Sequence, residues 1–265
     1  MEGRKNKMVK AVFFDIDGTL LDHGRGGVMP DSTKRSLHVL RDKGVKLFVA
    51  TGRFPAMVTF MEAMFPFDGY VTMNGQLVVL ADGSVIHRLG HHPEDIRCLD
   101  AVSRQKGFPS LIIEEDAYFY TVPSPEIDRH FISGHLLPPG RAYDPARLAE
   151  HPVLQFLIYS PEDLPALDAL EHIEITSAGG SIFDIIPKTG GKQVGIRAAA
   201  EYFHIQREEV MVFGDGDNDA QMLRWAGTGV AMGNGTESAK SAACYITSPV
   251  GQDGIEKALR HFHVL

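Results

Sequence analysis

The stretch Val9-Lys10-Ala11-Val12-Phe13-Phe14-Asp15-Ile16-Asp17-Gly18-Thr19-Leu20 runs an apolar segment straight into two carboxylates. A short apolar run without alternation fits a strand covered on both faces, as in a parallel sheet. Val9–Phe14 is therefore expected to be such a strand, which places Asp15 and Asp17 at its C-terminal end. In open parallel sheets that edge is where ligands bind. Read alone, the segment has a lesser alternative, a polar loop whose carboxylates cap a helix.

Outward from this segment, apolar runs and amphipathic stretches alternate, the pattern of a parallel sheet covered by helices. A helix is expected over Asp31–Lys43, with Leu37 and Leu40 on one side and Gly44 as a left-handed stop. A strand Val45–Ala50, a helix Phe54–Phe65 and a strand Phe67–Thr72 come next. Gln76–Leu89 reads as a hairpin around Asp82-Gly83. From His91 to about Pro187 the character changes. Helical patterns at Asp95–Lys106 and Glu162–His172 alternate there with strand-like runs at Leu111–Glu114, Val153–Tyr159 and Ile182–Ile186. Prolines 123, 125, 138 and 139 read as connections. From Gly190 the first pattern resumes, with helices Lys192–Phe203, Asp219–Ala226 and Asp253–Phe262 and strands Val210–Phe213, Gly229–Met232 and Cys244–Thr247. The expected fold is a doubly wound parallel α/β core, residues 1–86 and 188–265, split by an inserted α+β domain at 87–187.

The second apolar-to-acidic junction is Val210–Phe213 leading into Gly214-Asp215-Gly216-Asp217-Asn218-Asp219. Two such strand ends on one parallel sheet converge, and a hard divalent cation would neutralise them. Mg²⁺ suits a site that shares ligands with a phosphate. A calcium EF-hand loop is excluded, because Ala220 replaces the turn glycine and Ala226 the bidentate glutamate. Thr51-Gly52-Arg53 ends another strand, where a hydroxyl and free N–H groups could cradle an oxyanion or simply cap a helix. Gly190-Gly191-Lys192 is not a phosphate-binding P-loop, since Ile186 and Gln193 replace its required glycine and hydroxyl. Lys192 remains a candidate point charge on a phosphate.

Composition narrows the partners. Among 265 residues, 44% are hydrophobic and 23% charged, an ordinary globular balance. The formal net charge of −8 disfavours nucleic acid and anionic membrane as partners. The first ten residues are polar and basic, and no apolar run approaches the ~18 residues of a membrane span. Two cysteines, Cys98 and Cys244, fit a reducing compartment and inert roles. The expectation is a soluble cytoplasmic chain. The twelve histidines read as surface or packing residues, Gly24–Gly27 as a flexible turn, and Asn234-Gly235-Thr236 as a glycosylation acceptor without consequence.

Together, Asp15-Ile16-Asp17-Gly18-Thr19, Thr51, Lys192 and Gly214–Asp219, with Asn74-Gly75 after the third strand, resemble the motifs of the haloacid dehalogenase-like superfamily. The long insertion before Lys192 resembles the cap of its Cof-type (type IIB cap) phosphatases. The resemblance implies a Mg²⁺-dependent phosphatase acting on a small phosphorylated metabolite, such as a sugar phosphate or phosphorylated cofactor. By the same resemblance, Asp15 is the nucleophile that becomes an aspartyl-phosphate, and Asp17 the general acid and base. Thr51, Gly52, Lys192 and Asn218 would bind phosphate. Asp15, Asp17 (through its backbone carbonyl) and Asp215 would hold the metal, with Asp219 or Asn218 supporting. The presence of Asp17 argues against the dehalogenase branch. A sugar phosphomutase and a phospho-acceptor module without turnover are the alternatives, and both monomer and dimer stay open.

Overall fold

The computed structural model describes residues 8–177 and 181–265. The basic stretch ahead of Met8 and residues 178–180 of the expected insertion lie outside them. The chain runs β1 (Ala11–Phe14), α1 (Asp31–Asp42), β2 (Lys46–Ala50), α2 (Phe60–Met64), β3 (Gly69–Thr72), β4 (Leu77–Leu80) and β5 (Val85–Arg88). It continues through α3 (Pro93–Lys106), β6 (Ser110–Ile113), β7 (Tyr118–Tyr120), α4 (Pro125–Ser133), β8 (Gln155–Ile158), β9 (Ile173–Thr176) and β10 (Phe183–Pro187). The last part is α5 (Lys192–Tyr202), β11 (Val210–Gly214), α6 (Ala220–Trp225), β12 (Thr228–Ala231), α7 (Glu237–Ala242), β13 (Tyr245–Ile246) and α8 (Gly254–His261).

Two sheets result. The first has eight strands in the order β13-β12-β11-β1-β2-β3-β4-β5. It is parallel from β13 to β3 and closes with the antiparallel β4–β5 hairpin. The expected domain edge at 86 falls inside β5, because Arg88 still pairs with Leu77. β1 is central, flanked by β11 and β2, and every residue of it is buried. Its alternation sends Val12 and Phe14 to the face covered by α1 and α8, and Ala11 and Phe13 to the face covered by α5 and α6. Such two-sided burial explains why the strand reads as a continuous apolar run.

The second sheet, β7-β6-β8-β10-β9, is antiparallel throughout. One face carries α3 through Ile96 and Leu99 against Ile112 and Phe156. The other packs Leu111, Leu157 and the α4 residues Ile127 and Phe131 against Phe54, Met57, Met73 and Leu77 of the first layer. The two sheets therefore share one apolar joint.

Three expected elements change. The helix over Phe54–Phe65 is a 3₁₀ turn, Pro55–Met57, followed by the short α2, with the break at Val58, whose φ is −120°. The helix over Glu162–His172 is a 3₁₀ segment, Pro161–Leu167, because Pro165 lies inside it. Proline has no N–H to donate and crowds the preceding turn. Conversely, the proline-rich connection contains α4: Pro125 opens it, and Ser124 caps it by accepting from the Glu126 N–H at 3.1 Å. Proline is tolerated at the first helical position because that N–H has no helical partner anyway.

Leu37 is fully buried beneath α1. Leu37→Ala is expected to cost about 2–5 kcal/mol, read as a lower midpoint in urea denaturation.

Candidate active site

Asp15 comes directly after β1, and its N–H continues the ladder to the Phe213 carbonyl at 3.0 Å. Gly18 then turns the chain at φ +87°. A Cβ there would meet Asp215 Oδ2 at 2.2 Å, so the glycine lets the two acidic segments touch. Thr19 Oγ1 donates to Asp215 Oδ1 at 2.8 Å. From a third loop, Asn234 Nδ2 donates to the Gly18 carbonyl at 2.8 Å and to Asp215 Oδ2 at 3.3 Å. Asn234, expected only as a glycosylation acceptor, thus ties the two clusters together. Thr236 of the same triplet caps α7, accepting from the Ala239 N–H at 3.2 Å.

Lys192 opens α5 and is wholly buried. Its ammonium donates to Asp15 Oδ1 and to Asp219 Oδ1, each at 2.6 Å. Burial works against that charge, but the two carboxylates outweigh it and hold the ammonium above its ordinary pKa. Asp219 is also fully buried, and its Oδ2 accepts from the N–H groups of Asp215 and Gly216 at 2.8 and 2.9 Å. Both Asp219 oxygens are therefore engaged, Oδ1 by Lys192 and Oδ2 by the loop amides.

Burial lifts the Asp15 carboxyl well above the usual range. Lys192 pulls it back, and Asp219, Asp215 and Asp17 push it further up. Asp215 is likewise raised, to about 6, by burial and by Asp219 and Asp17, against the Thr19 hydrogen bond and Lys192. Oxygens of Asp15, Asp215 and Asp219 lie within 4.8 Å of one another. Three carboxylates against one ammonium leave an excess of negative charge, and the all-oxygen donor set suits a hard divalent cation.

Asp17 behaves differently. Arg53 grips it with both arms, Nε to Oδ2 at 2.8 Å and Nη2 to Oδ1 at 2.6 Å. The His23 ring meets Oδ1 at 2.7 Å. Burial opposes ionisation, but Arg53 and His23 together draw the carboxyl below its ordinary pKa. Thr51 lies at the end of β2, and its Oγ1 accepts from the Arg53 N–H at 3.2 Å, keeping the hydroxyl proton available to a ligand.

One cleft of about 150 Å³ gathers Asp15, Asp17, Thr51, Gly52, Asp215 and Asn218, with Lys192 and Asp219 buried beneath it. All eight residues singled out from the sequence thus meet at one sheet edge. The second layer completes the cleft with His130 of α4, Gln155 and Leu157 of β8, Asp184 of β10 and Ile182 just before it. Asn74 Nδ2 donates to Asp184 Oδ2 at 2.9 Å, and Gln155 Nε2 to the Gly52 carbonyl at 3.1 Å. Asn218 Nδ2 donates to Asn74 Oδ1 at 3.1 Å. A Cβ on Gly52 would meet Asp184 and Asn74 near 3 Å, so this glycine admits the second sheet. Sequence reasoning missed Arg53, His23, His130, Gln155 and Asp184. Adjacency to Thr51-Gly52 was a signal for Arg53; the others carry none.

A parallel α/β sheet with an acidic, lysine-braced cleft at its C-terminal edge defines a phosphoryl-handling enzyme fold. The sequence pattern of the haloacid dehalogenase-like hydrolases matches residues 12–259. The Bacillus subtilis (strain 168) protein YkrA, which carries a provisional phosphatase name, is 30% identical over 97% of this chain and 98% of its own. A 5-amino-6-(5-phospho-D-ribitylamino)uracil phosphatase of the same bacterium, YitU, is 26% identical over 96% and 97%. The solved structure of the subclass IIB sugar phosphatase BT4131 superposes with a TM-score of 0.87 at 33% identity, covering 97% of this chain and all of that one. This chain belongs to the haloacid dehalogenase-like hydrolases, among the Cof-type phosphatases. It is a hydrolase of phosphoric monoesters, a class that acts on small phosphorylated substrates. Among the described residues, no helix is long and apolar enough to cross a membrane.

The charges lead to two expected outcomes. Lys192→Ala leaves two buried carboxylates facing each other and is expected to cost about 3–5 kcal/mol in denaturant titration. Burial pushes Asp184 up to about 6, against the Asn74 hydrogen bond and Lys192. The folded chain therefore holds that proton more tightly than the unfolded one, and stability falls as pH rises from about 4 through 6. Asp184→Asn is expected to be more stable than wild type by about 1 kcal/mol at pH ~7.5, with the gap closing below pH ~4. Paired urea melts at the two pH values check this.

Proposed function

We propose that this phosphatase hydrolyses small-molecule phosphomonoesters, sugar phosphates or phosphorylated cofactors, through a phosphorylated Asp15. The observation that carries the reading is the Lys192 ammonium bonded to Asp15 Oδ1, which holds the carboxylate in place at the cleft floor. The second Asp15 oxygen has no partner among the described residues. It forms the bond to phosphorus while the bond from phosphorus to the leaving oxygen breaks. Asp17 gives its proton to that oxygen. It then takes one from water, which attacks the same phosphorus, breaks its bond to Asp15 and frees phosphate.

Arg53 and His23 hold Asp17 ionised, which suits the base role. Its acid role calls for the proton to arrive with substrate, when phosphoryl oxygens compete for the Arg53 guanidinium. Thr51 and Lys192 stabilise the charge spread over the equatorial oxygens. Mg²⁺ would be held by Asp15, the Asp17 backbone carbonyl and Asp215, with Asp219 orienting the loop. When bound, it supplies the positive charge that lets an anionic nucleophile meet an anionic phosphoryl group. The oxygen donors and their unbalanced charge fit that ion. The segment after Arg88 and up to Pro187 serves as the cap that covers the cleft and excludes water. The names carried by BT4131 and YitU support a polyhydroxylated leaving group.

The test is phosphate release from a panel of sugar phosphates, nucleotides and phosphorylated cofactors. Asp15→Asn should lose roughly 10³-fold or more in kcat. Chelation of wild type should abolish release, and added Mg²⁺ should restore it. An Asp15→Asn protein that releases phosphate as fast as wild type would remove Asp15 from the nucleophile role.

A further inference from the structure

Among the described residues, three polar side chains of the second layer line the cleft: His130, Gln155 and Asp184. Two of them are already committed to the protein. Gln155 Nε2 donates to the Gly52 carbonyl at 3.1 Å and to Asp184 Oδ1 at 3.3 Å, which uses both amide protons. Its Oε1 accepts from Asn74 Nδ2 at 3.2 Å. Asp184 accepts from both Asn74 and Gln155. His130 differs. Its Nδ1 meets the Tyr159 hydroxyl at 2.8 Å, while its Nε2 has no partner among the described residues. The side chain is only half-buried, so that nitrogen is open to a ligand.

The Tyr159 hydroxyl decides which nitrogen of the ring carries the proton. Tyr159 is buried, and His130 is its one hydrogen-bond partner among the described residues. Burial and the nearby Asp184 charge push the phenol pKa up, so the hydroxyl keeps its proton. If the hydroxyl accepted from Nδ1, that buried proton would lack an acceptor, the more costly arrangement. Donation to Nδ1 satisfies it and leaves the single proton of a neutral imidazole on Nε2. Burial and the Arg53 charge hold the ring neutral. The cleft is thus offered one N–H without formal charge, in a lining that also includes Phe54, Met57, Leu157 and Ile182. A few placed polar groups among apolar side chains are what orient a ligand in a pocket.

We infer that His130 Nε2–H donates a hydrogen bond to an oxygen of the leaving group, and that Tyr159 holds the ring in the donating tautomer. The inference rests on the proposed phosphatase reading, in which Asp15, Thr51 and Lys192 of the first sheet engage the phosphoryl group. A donor entering the cleft from the second layer then meets the other part of the ester. An uncharged N–H accepts any hydroxyl, ether or carbonyl oxygen as its partner. His130 therefore separates leaving groups that place an oxygen there from those that present only hydrocarbon.

The experiment measures kcat/KM at about pH 7.5, where a neutral imidazole is the relevant form, in saturating Mg²⁺. The substrates are glucose 6-phosphate and ribose 5-phosphate, with phenyl phosphate as the reference whose leaving group has no oxygen beyond the ester. The ratio of each oxygenated substrate to phenyl phosphate is taken within each protein, so that loss of folded enzyme cancels. His130→Phe keeps a ring and removes the donor, and should lower the ratio about 3–10-fold. His130→Gln, which supplies an amide N–H in place of Nε2–H, should restore most of it. An unchanged or higher ratio in His130→Phe overturns the inference, as does a failure of His130→Gln to exceed it. Nitrogen-15 NMR of the ring reads the tautomer directly: the proton should reside on Nε2, and a proton on Nδ1 overturns the inference. Tyr159→Phe should shift the Nδ1 resonance, because the donated bond is gone; an unmoved resonance is equally fatal. If wild type hydrolyses none of the three esters, the phosphatase proposal falls and this inference falls with it. Hydrolysis with a ratio indifferent to His130 refutes the inference alone.

Discussion

A lysine ammonium with no solvent exposure can persist only if counter-charges replace its hydration, and here two carboxylates do so at 2.6 Å each. Lys192 opens a helix, where the backbone dipole is itself positive and adds to the problem. The whole compensation thus falls on Asp15 and Asp219, which reach it from the ends of β1 and β11. Those strands are adjacent and in parallel register, Phe14 opposite Phe213. The ion cluster therefore requires the central sheet to be formed, and it fixes the start of α5 against that sheet. Asp15 and Asp215 leave an excess of negative charge at the site.

The second constraint is the joint between the sheets. Apolar residues of both layers form one cluster, and a line of amides and carboxylates runs along its edge from Asn218 through Asn74 to Asp184 and Gln155. The polar line reaches Gly52 just after β2, where the absent side chain leaves room for Asp184. Cleft-lining groups of the second sheet are in this way hydrogen-bonded to the loops that follow β2 and β3.

Both acidic junctions are readable because a parallel strand covered on both faces leaves an unmistakable apolar run. Chain direction alone then puts the residues after that run at the ligand-binding edge. Strands β1, β2, β3 and β11 and helices α1, α3, α5 and α8 accordingly lie close to where the residues place them. Two of the misread elements share a cause. Proline reads as a breaker where it in fact starts α4. Its effect inside Pro161–Leu167 escapes a periodic pattern, since a helical period does not register a missing N–H. Thr236 likewise looks like part of an acceptor triplet and is the cap of α7.

The sequence by itself determined the doubly wound core, the insertion, and the set Asp15, Asp17, Thr51, Gly52, Lys192, Asp215, Asn218 and Asp219, because each is bound to a local pattern of strand end, turn glycine or helix start. Only the tertiary structure decided how those groups divide their charge. Lys192 binds Asp15 and Asp219 across separations of 177 and 27 residues, and Arg53 holds Asp17 ionised across 36. It also decided that Asp184, Gln155 and His130 face the cleft. Local sequence carries no mark of this, because β8, β10 and α4 meet the loops of the other sheet only through packing, and such proximity is a property of packing rather than of any segment.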